Sequence, residues 1–226
     1  MMLTSVFDTR DALFQAAARR MAVVSERCLS EPAAILIPGG NTPRALFELI
    51  AANPFPLCPG LRFAFTDERH VPLTDAQSNY GLAKPMLDAL QLPDDKVMRV
   101  AVEEDLEQAA AEYDAQWHRF FGQGGTIPLI LLGIGDDGHT CSLFTHEQLD
   151  DIPEGRYAVA VPKEPGPARI STTPALLARA AHVIFLVTGS AKAAVVQQMQ
   201  EQSEAPVAVR AVAGCPRVSL WFTPED

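Results

Sequence analysis

Short apolar runs alternate with amphipathic stretches along nearly the whole chain, and this alternation constrains the fold more than any other feature. AAILI (33–37), LRFAF (61–65), IPLILLGIG (127–135), HVIFLVT (182–188) and VSLWFT (218–223) have the length and continuity of strands covered on both faces. YAVAVP (157–162) alternates as a strand, and VMRV (97–100) suits a short one. Asp8 and Thr9 precede a stretch that places Leu13, Ala17, Met21, Val24 and Cys28 on one face, the pattern of a capped helix. Further helices are expected over 44–52, 78–90, 103–121 and 190–200, with a short one after Pro174. The 103–121 helix is expected to be the longest, burying Leu106, Ala110, Tyr113, Trp117 and Phe121. A break is expected near Pro85, because proline lacks the N–H a helix interior needs. Strands alternating with helices imply an α/β fold with a mainly parallel sheet and right-handed crossovers. The Pro/Gly clusters at 53–60, 122–128 and 162–167 read as loops, so residues 1–226 are expected to form a single domain.

Charge narrows the range of partners. The 226 residues carry 28 acids and 18 bases, a net charge of −10. Nucleic-acid and anionic-membrane binding both need a basic face, and neither is expected. No apolar run approaches the ~18 residues of a membrane span. Charges at Asp8, Arg10 and Asp11 interrupt any signal-peptide core. Cys28, Cys58, Cys141 and Cys215 form no CxxC pair and read as isolated reduced thiols. The expectation is a cytoplasmic protein, monomeric or a weak homo-oligomer.

In parallel α/β sheets, ligands collect where strands end at their carboxyl side. Gly39-Gly40-Asn41-Thr42-Pro43 follows the first strand of this kind. Its glycines permit close backbone approach, Thr42 suits a helix cap and Pro43 the first turn. Such a loop is either a plain strand-to-helix turn or an anion site. Asp67-Glu68-Arg69-His70 follows the next strand and is either a solvated ion-paired loop or a place to orient water and anion. Asp136-Asp137-Gly138-His139-Thr140 follows the most apolar strand. A histidine two residues from a carboxylate suits a general base. His139 and His146 are seven apart with no evident third ligand, so no metal and no cofactor are expected. Arg169 and Lys192 occupy similar places later in the chain and are either surface charges or cations that reach the same crevice. His118 and His182 sit within regular elements and read as structural.

Taken in order, PGGNTP, TDERHVP…SNYG, GIGDDGHTCSLF, RIST and GSAK resemble the glucosamine-6-phosphate isomerase/6-phosphogluconolactonase family, over nearly the whole chain. Arg69 and Thr140–Phe144 resemble the lactonase branch more than the deaminases. The sequence departs from that pattern at Pro38, Asp136, Cys141 and Thr145. The superfamily also holds ribose-5-phosphate isomerase and CoA transferases, so the resemblance implies a Rossmann-like, mainly parallel sheet flanked by helices.

The resemblance implies hydrolysis of 6-phospho-D-glucono-1,5-lactone, a step of the oxidative pentose phosphate pathway. The partner would be a small phosphorylated sugar lactone. His139 would be the base, Asp137 its orienter, and Arg69 the stabiliser of developing charge, positioned by Asp67. Gly39, Gly40, Asn41, Thr42, Arg169 and Lys192 would hold the phosphate. Alternatives are a deaminase or isomerase using Asp67 as base, or a sugar-phosphate-binding domain without turnover. Counting Arg69, Arg169 and Lys192 against Asp67 and Asp137 gives an expected site charge of +1.

Overall fold

All five residues of Ala33–Ile37 are buried, as a strand covered on both faces must be. The structure, a computed structural model, describes residues 2–26, 32–201 and 205–226. Ten strands are described: β1 (Leu3–Val6), β2 (Ala33–Ile37), β3 (Leu61–Phe65), β4 (Asp67–Arg69), β5 (Val97–Met98), β6 (Thr126–Leu132), β7 (Ala158–Val161), β8 (Arg169–Thr172), β9 (Val183–Thr188) and β10 (Val218–Thr223). The helices are α1 (Arg10–Glu26), α2 (Asn41–Ala52), α3 (Asn79–Ala89), α4 (Leu106–Gly122), α5 (His146–Asp150), α6 (Pro174–Leu177), α7 (Ala193–Glu201) and α8 (Val207–Ala211).

Seven strands form one parallel sheet in the order β1-β10-β9-β6-β2-β3-β5. Side chains alternate between its faces with period two. Ala34, Leu36, Ile130, Leu132, Phe185 and Val187 point into a core shared with α4, α6, α7 and α8. Ile35, Ile37, Leu129, Leu131, Ile184 and Leu186 point into a second core under α1, α2 and α3. Each fully buried Leu, Ile or Phe contributes roughly 1.5–3 kcal/mol of transfer free energy. The fold is therefore α/β with a parallel sheet flanked by helices on both faces.

A second sheet, antiparallel in the order β4-β8-β7, was not expected. The polar segments DER and RIST carry no apolar periodicity, yet they pair as β4 and β8. Asp114 fastens this sheet to α4 by accepting from the N–H groups of Tyr157 (2.6 Å) and Ala158 (3.2 Å) and from Arg156 (2.9 Å).

Other expectations need correcting. Helix α3 runs through Pro85 unbroken, held by the burial of Ala83, Met86 and Leu87 around it. Helices α1 and α4 are equally long at 17 residues. On α4 Ala110, Tyr113 and Trp117 are buried as expected and Ala109 and Phe120 join them, while Leu106 and Phe121 are only half-buried. Helix α2 begins at Asn41 with Gly40 as its cap and no side-chain cap, so Thr42 is not the capping residue. Cys58 is disulfide-bonded, against the expectation of isolated thiols, whereas Cys141 and Cys215 are free. Cys28 lies outside the described residues. Among the described residues no helix is long and apolar enough to cross a membrane.

Candidate active site

The loops after β2, β3, β6 and β9 meet at the carboxyl end of the large sheet and enclose a cleft of about 410 Å³. Gly39, Gly40, Asn41, Thr42, Asp67, Arg69, His139 and Lys192 all line it. Asp137 reaches it through His139. Arg169 is not among the lining residues.

The loop after β6 carries the most reactive pair. His139 Nδ1 lies 2.5 Å from Asp137 Oδ1, which also accepts the His139 backbone N–H at 3.2 Å. Partial burial raises the Asp137 carboxyl pKa, but the bonds from His139 together outweigh it and hold it below the usual value. An ionised carboxylate only accepts, so Nδ1 is the donor in this contact and Asp137 fixes the orientation of the ring. Phe144 packs on the imidazole at a centroid distance of 4.7 Å. The bend depends on glycine. A Cβ on Gly135 would lie 2.1 Å from His139 Nδ1 and 2.4 Å from Asp137 Oδ1, inside the pair itself. Gly138 turns with φ +82.

The opposite wall is built from β4. Asp67 Oδ2 accepts from Ser142 Oγ at 2.7 Å, and Oδ1 accepts from Thr66 Oγ1 (3.3 Å) and Asn79 Nδ2 (3.4 Å). Glu68 points away from the cleft and accepts the backbone N–H groups of Arg69 (2.8 Å), Asn79 (2.7 Å) and Tyr80 (2.8 Å). It thereby ties β4 to the start of α3. Burial raises its pKa, and those N–H bonds offset the rise only in part. Arg69 is fixed by donating to Gln77 O at 2.7 Å. Arg169 stands directly opposite Arg69 in the β4–β8 pairing and donates to Ala168 O and Pro167 O. Burial, then the neighbouring Arg69 charge, lowers its guanidinium pKa.

The third side faces the expected anion. Helix α2 has 12 residues, and Gly40, Asn41 and Thr42 at its start line the cleft without a side-chain cap. Thr42 Oγ1 is 2.9 Å from Thr188 Oγ1, joining this turn to the end of β9. Lys192 Nζ donates to Ile134 O at 2.8 Å and pairs with Asp136 Oδ1 at 2.6 Å. The charged lining residues are therefore Arg69 and Lys192 against Asp67 and Asp136, a sum of zero rather than +1.

Sequence reasoning gave no roles to Glu68, Asn79, Ser142 and Phe144, which support the cleft from behind its lining, and did not connect Asp136 with Lys192. All four lie inside segments that the sequence singled out, DER, SNYG and DGHTCSLF, but their partners are not local. Cys141 lines the cleft, but burial, then the Asp67 charge, pushes its thiol up to about 12, so it stays protonated. His70 bonds Glu104 O at 2.8 Å, away from the cleft. His182 is buried against Ser219 Oγ at 2.8 Å. Among the described residues no group of His, Cys, Asp and Glu is arranged to hold a metal ion.

The family model for glucosamine-6-phosphate isomerases/6-phosphogluconolactonase matches residues 8–219. The 6-phosphogluconolactonase of Homo sapiens is 33% identical across 99% of this chain and 91% of that protein. That of Aggregatibacter actinomycetemcomitans is 30% identical across 97% of this chain and 96% of its own length. Among solved structures, 6-phosphogluconolactonase from Trypanosoma brucei superposes with a TM-score of 0.81 at 28% identity, covering 100% of this chain and 97% of that one. The Trypanosoma cruzi enzyme gives a TM-score of 0.85 at 25% identity, covering 100% and 95%. With a family model spanning most of its residues and relatives matched end to end, this chain belongs to the glucosamine-6-phosphate isomerase/6-phosphogluconolactonase family.

Proposed function

We propose that the chain hydrolyses 6-phospho-D-glucono-1,5-lactone to 6-phospho-D-gluconate, the reaction of its lactonase relatives in the pentose phosphate pathway. The observation that carries this reading is the His139–Asp137 pair, with Nδ1 held by the carboxylate and the ring lining the cleft. A lactone is an activated ester, so one positioned base and one water suffice. Nε2 takes a proton from water as the water oxygen attacks the lactone carbonyl carbon. The ring C–O bond then breaks, and the ring oxygen leaves as a hydroxyl after protonation. Asp137 holds the tautomer and stabilises the imidazolium that forms. Arg69 faces the negative charge that develops on the carbonyl oxygen, and Asp67 supports that wall. The 39–42 turn and Lys192 bind the phosphoryl group, and this remote contact positions the carbonyl. Arg169 adds positive charge behind Arg69 without lining the cleft.

The isomerase or deaminase alternative would use Asp67 to move a proton between carbons. Both Asp67 oxygens already accept hydrogen bonds, and the residue is only 7% exposed, which favours a supporting role. A binding domain without turnover would have no use for an oriented His–Asp pair.

The test is lactone opening by His139→Ala, corrected for spontaneous hydrolysis at pH 7. A general base is worth about 10²–10⁴-fold, so a loss of that size is expected. Near-normal turnover would remove His139 from the mechanism.

A further inference from the structure

Asp136 lines the cleft but has no part in the reaction described above. Its side chain is 85% exposed and reaches in from solvent onto Lys192, whose own side chain is 22% exposed. The lysine has a second tether in Ile134 O, a main-chain acceptor that remains if the acid leaves. We propose that Asp136 sets the affinity of the phosphoryl subsite by competing with the incoming phosphate for Lys192. This deepens the proposed function, because it rests on Lys192 being the phosphate anchor.

The physics is a competition between two anions for one ammonium. A phosphate dianion that reaches Lys192 meets a carboxylate already 2.6 Å from Nζ. The carboxylate must swing into water or remain beside a like charge. Being exposed, it swings at little cost, so its effect is modest and graded. The zero charge of the lining has the same origin. Without Asp136, Arg69 and Lys192 would outweigh Asp67.

The experiment compares Asp136→Asn and Asp136→Glu with the unaltered chain. The readouts are KM for the phosphorylated lactone, KM for glucono-1,5-lactone lacking the phosphate, and titration with inorganic phosphate. Asp136→Asn is expected to lower KM for the phosphorylated lactone and to tighten inorganic phosphate by about two- to fivefold. That gain is expected to be absent for the unphosphorylated lactone and absent when Lys192→Met is also present. Asp136→Glu is expected to keep the original affinity, since it restores the competing charge. Unchanged or weaker phosphate binding in Asp136→Asn would overturn the proposal, as would an equal gain with the unphosphorylated lactone. Should the unaltered chain open no lactone at all, the proposed function fails. The inorganic-phosphate titration still decides whether Asp136 competes for Lys192.

Discussion

The two walls of the cleft hold their acids in opposite ways. On the β4 wall, Glu68 is 1% exposed and gathers three backbone N–H groups, and Asp67 is bonded through both oxygens. On the β6 side, the Asp137 side chain is 64% exposed and takes both its bonds from one residue, His139. Their pKa values move apart accordingly. Burial wins at Glu68 and raises it, whereas the His139 bonds win at Asp137 and lower it. One wall is a frame whose polar atoms are spent on the fold. The other leaves its polar atoms able to change partner during a reaction. Chemistry belongs on the side that can change.

Paired substitutions offer the hardest test of this division. His139→Ala should lose about 10²–10⁴-fold in turnover while its denaturant midpoint stays close to that of the unaltered chain. Glu68→Ala should behave in the reverse manner. One buried and two part-buried N–H groups would lose their acceptor; at roughly 1–3 kcal/mol for the buried one and less for each of the others, about 2–4 kcal/mol of stability should go. If Glu68→Ala unfolds at the original midpoint, the frame assignment is wrong. Next in size is Asp137→Asn. Outer groups that orient a histidine are worth roughly 10–100-fold, and a loss of that order is expected with the fold retained. Full activity in this variant would mean the imidazole needs no orienter.

The smallest effect is in pH. Glu68 has a folded pKa above its unfolded value of 4.5. Its protonated form is thus favoured by folding. The stability it contributes is full below pH 4.5 and shrinks as pH rises through the folded pKa, then levels off. The stability difference between the unaltered chain and Glu68→Ala should narrow with rising pH. Asp137 has the opposite sign: its contribution is present above the unfolded pKa and is lost as pH falls through the folded one. Denaturant titrations from pH 4 to 8 would show the Glu68 trend. A widening gap would mean the N–H bonds outweigh burial.

The sequence made six of the seven strands of the large sheet legible, five as continuous apolar runs and Val97–Met98 as a short one, whereas β1, polar at its centre and exposed throughout, was missed. The reactive loop was legible for a related reason, since glycines, acids and a histidine directly follow the most apolar strand. The small sheet was hidden, because β4 and β8 are three and four residues long and their pattern is set by partners about a hundred positions away. Separation along the chain, by 75 positions for Ser142–Asp67 and by more than fifty for Asp136–Lys192, hid those contacts as well. Pro85 misled in the other direction. A local rule predicted a break, and the packing of Met86 and Leu87 overrode it.

The outermost strand of the large sheet has a consequence in time. Leu3–Val6 pairs only with Val218–Thr223 among the described strands, register Leu3 to Ser219. A ribosome adding roughly 5–20 residues per second needs about 10–40 s between making the two. Throughout that interval the early strand has no ladder to join. Its four residues, Leu3 and Val6 included, are exposed even in the finished sheet, so waiting unpaired leaves bare little side-chain surface that seating would cover. The edge that is made first and seated last is also the one that can best tolerate the delay.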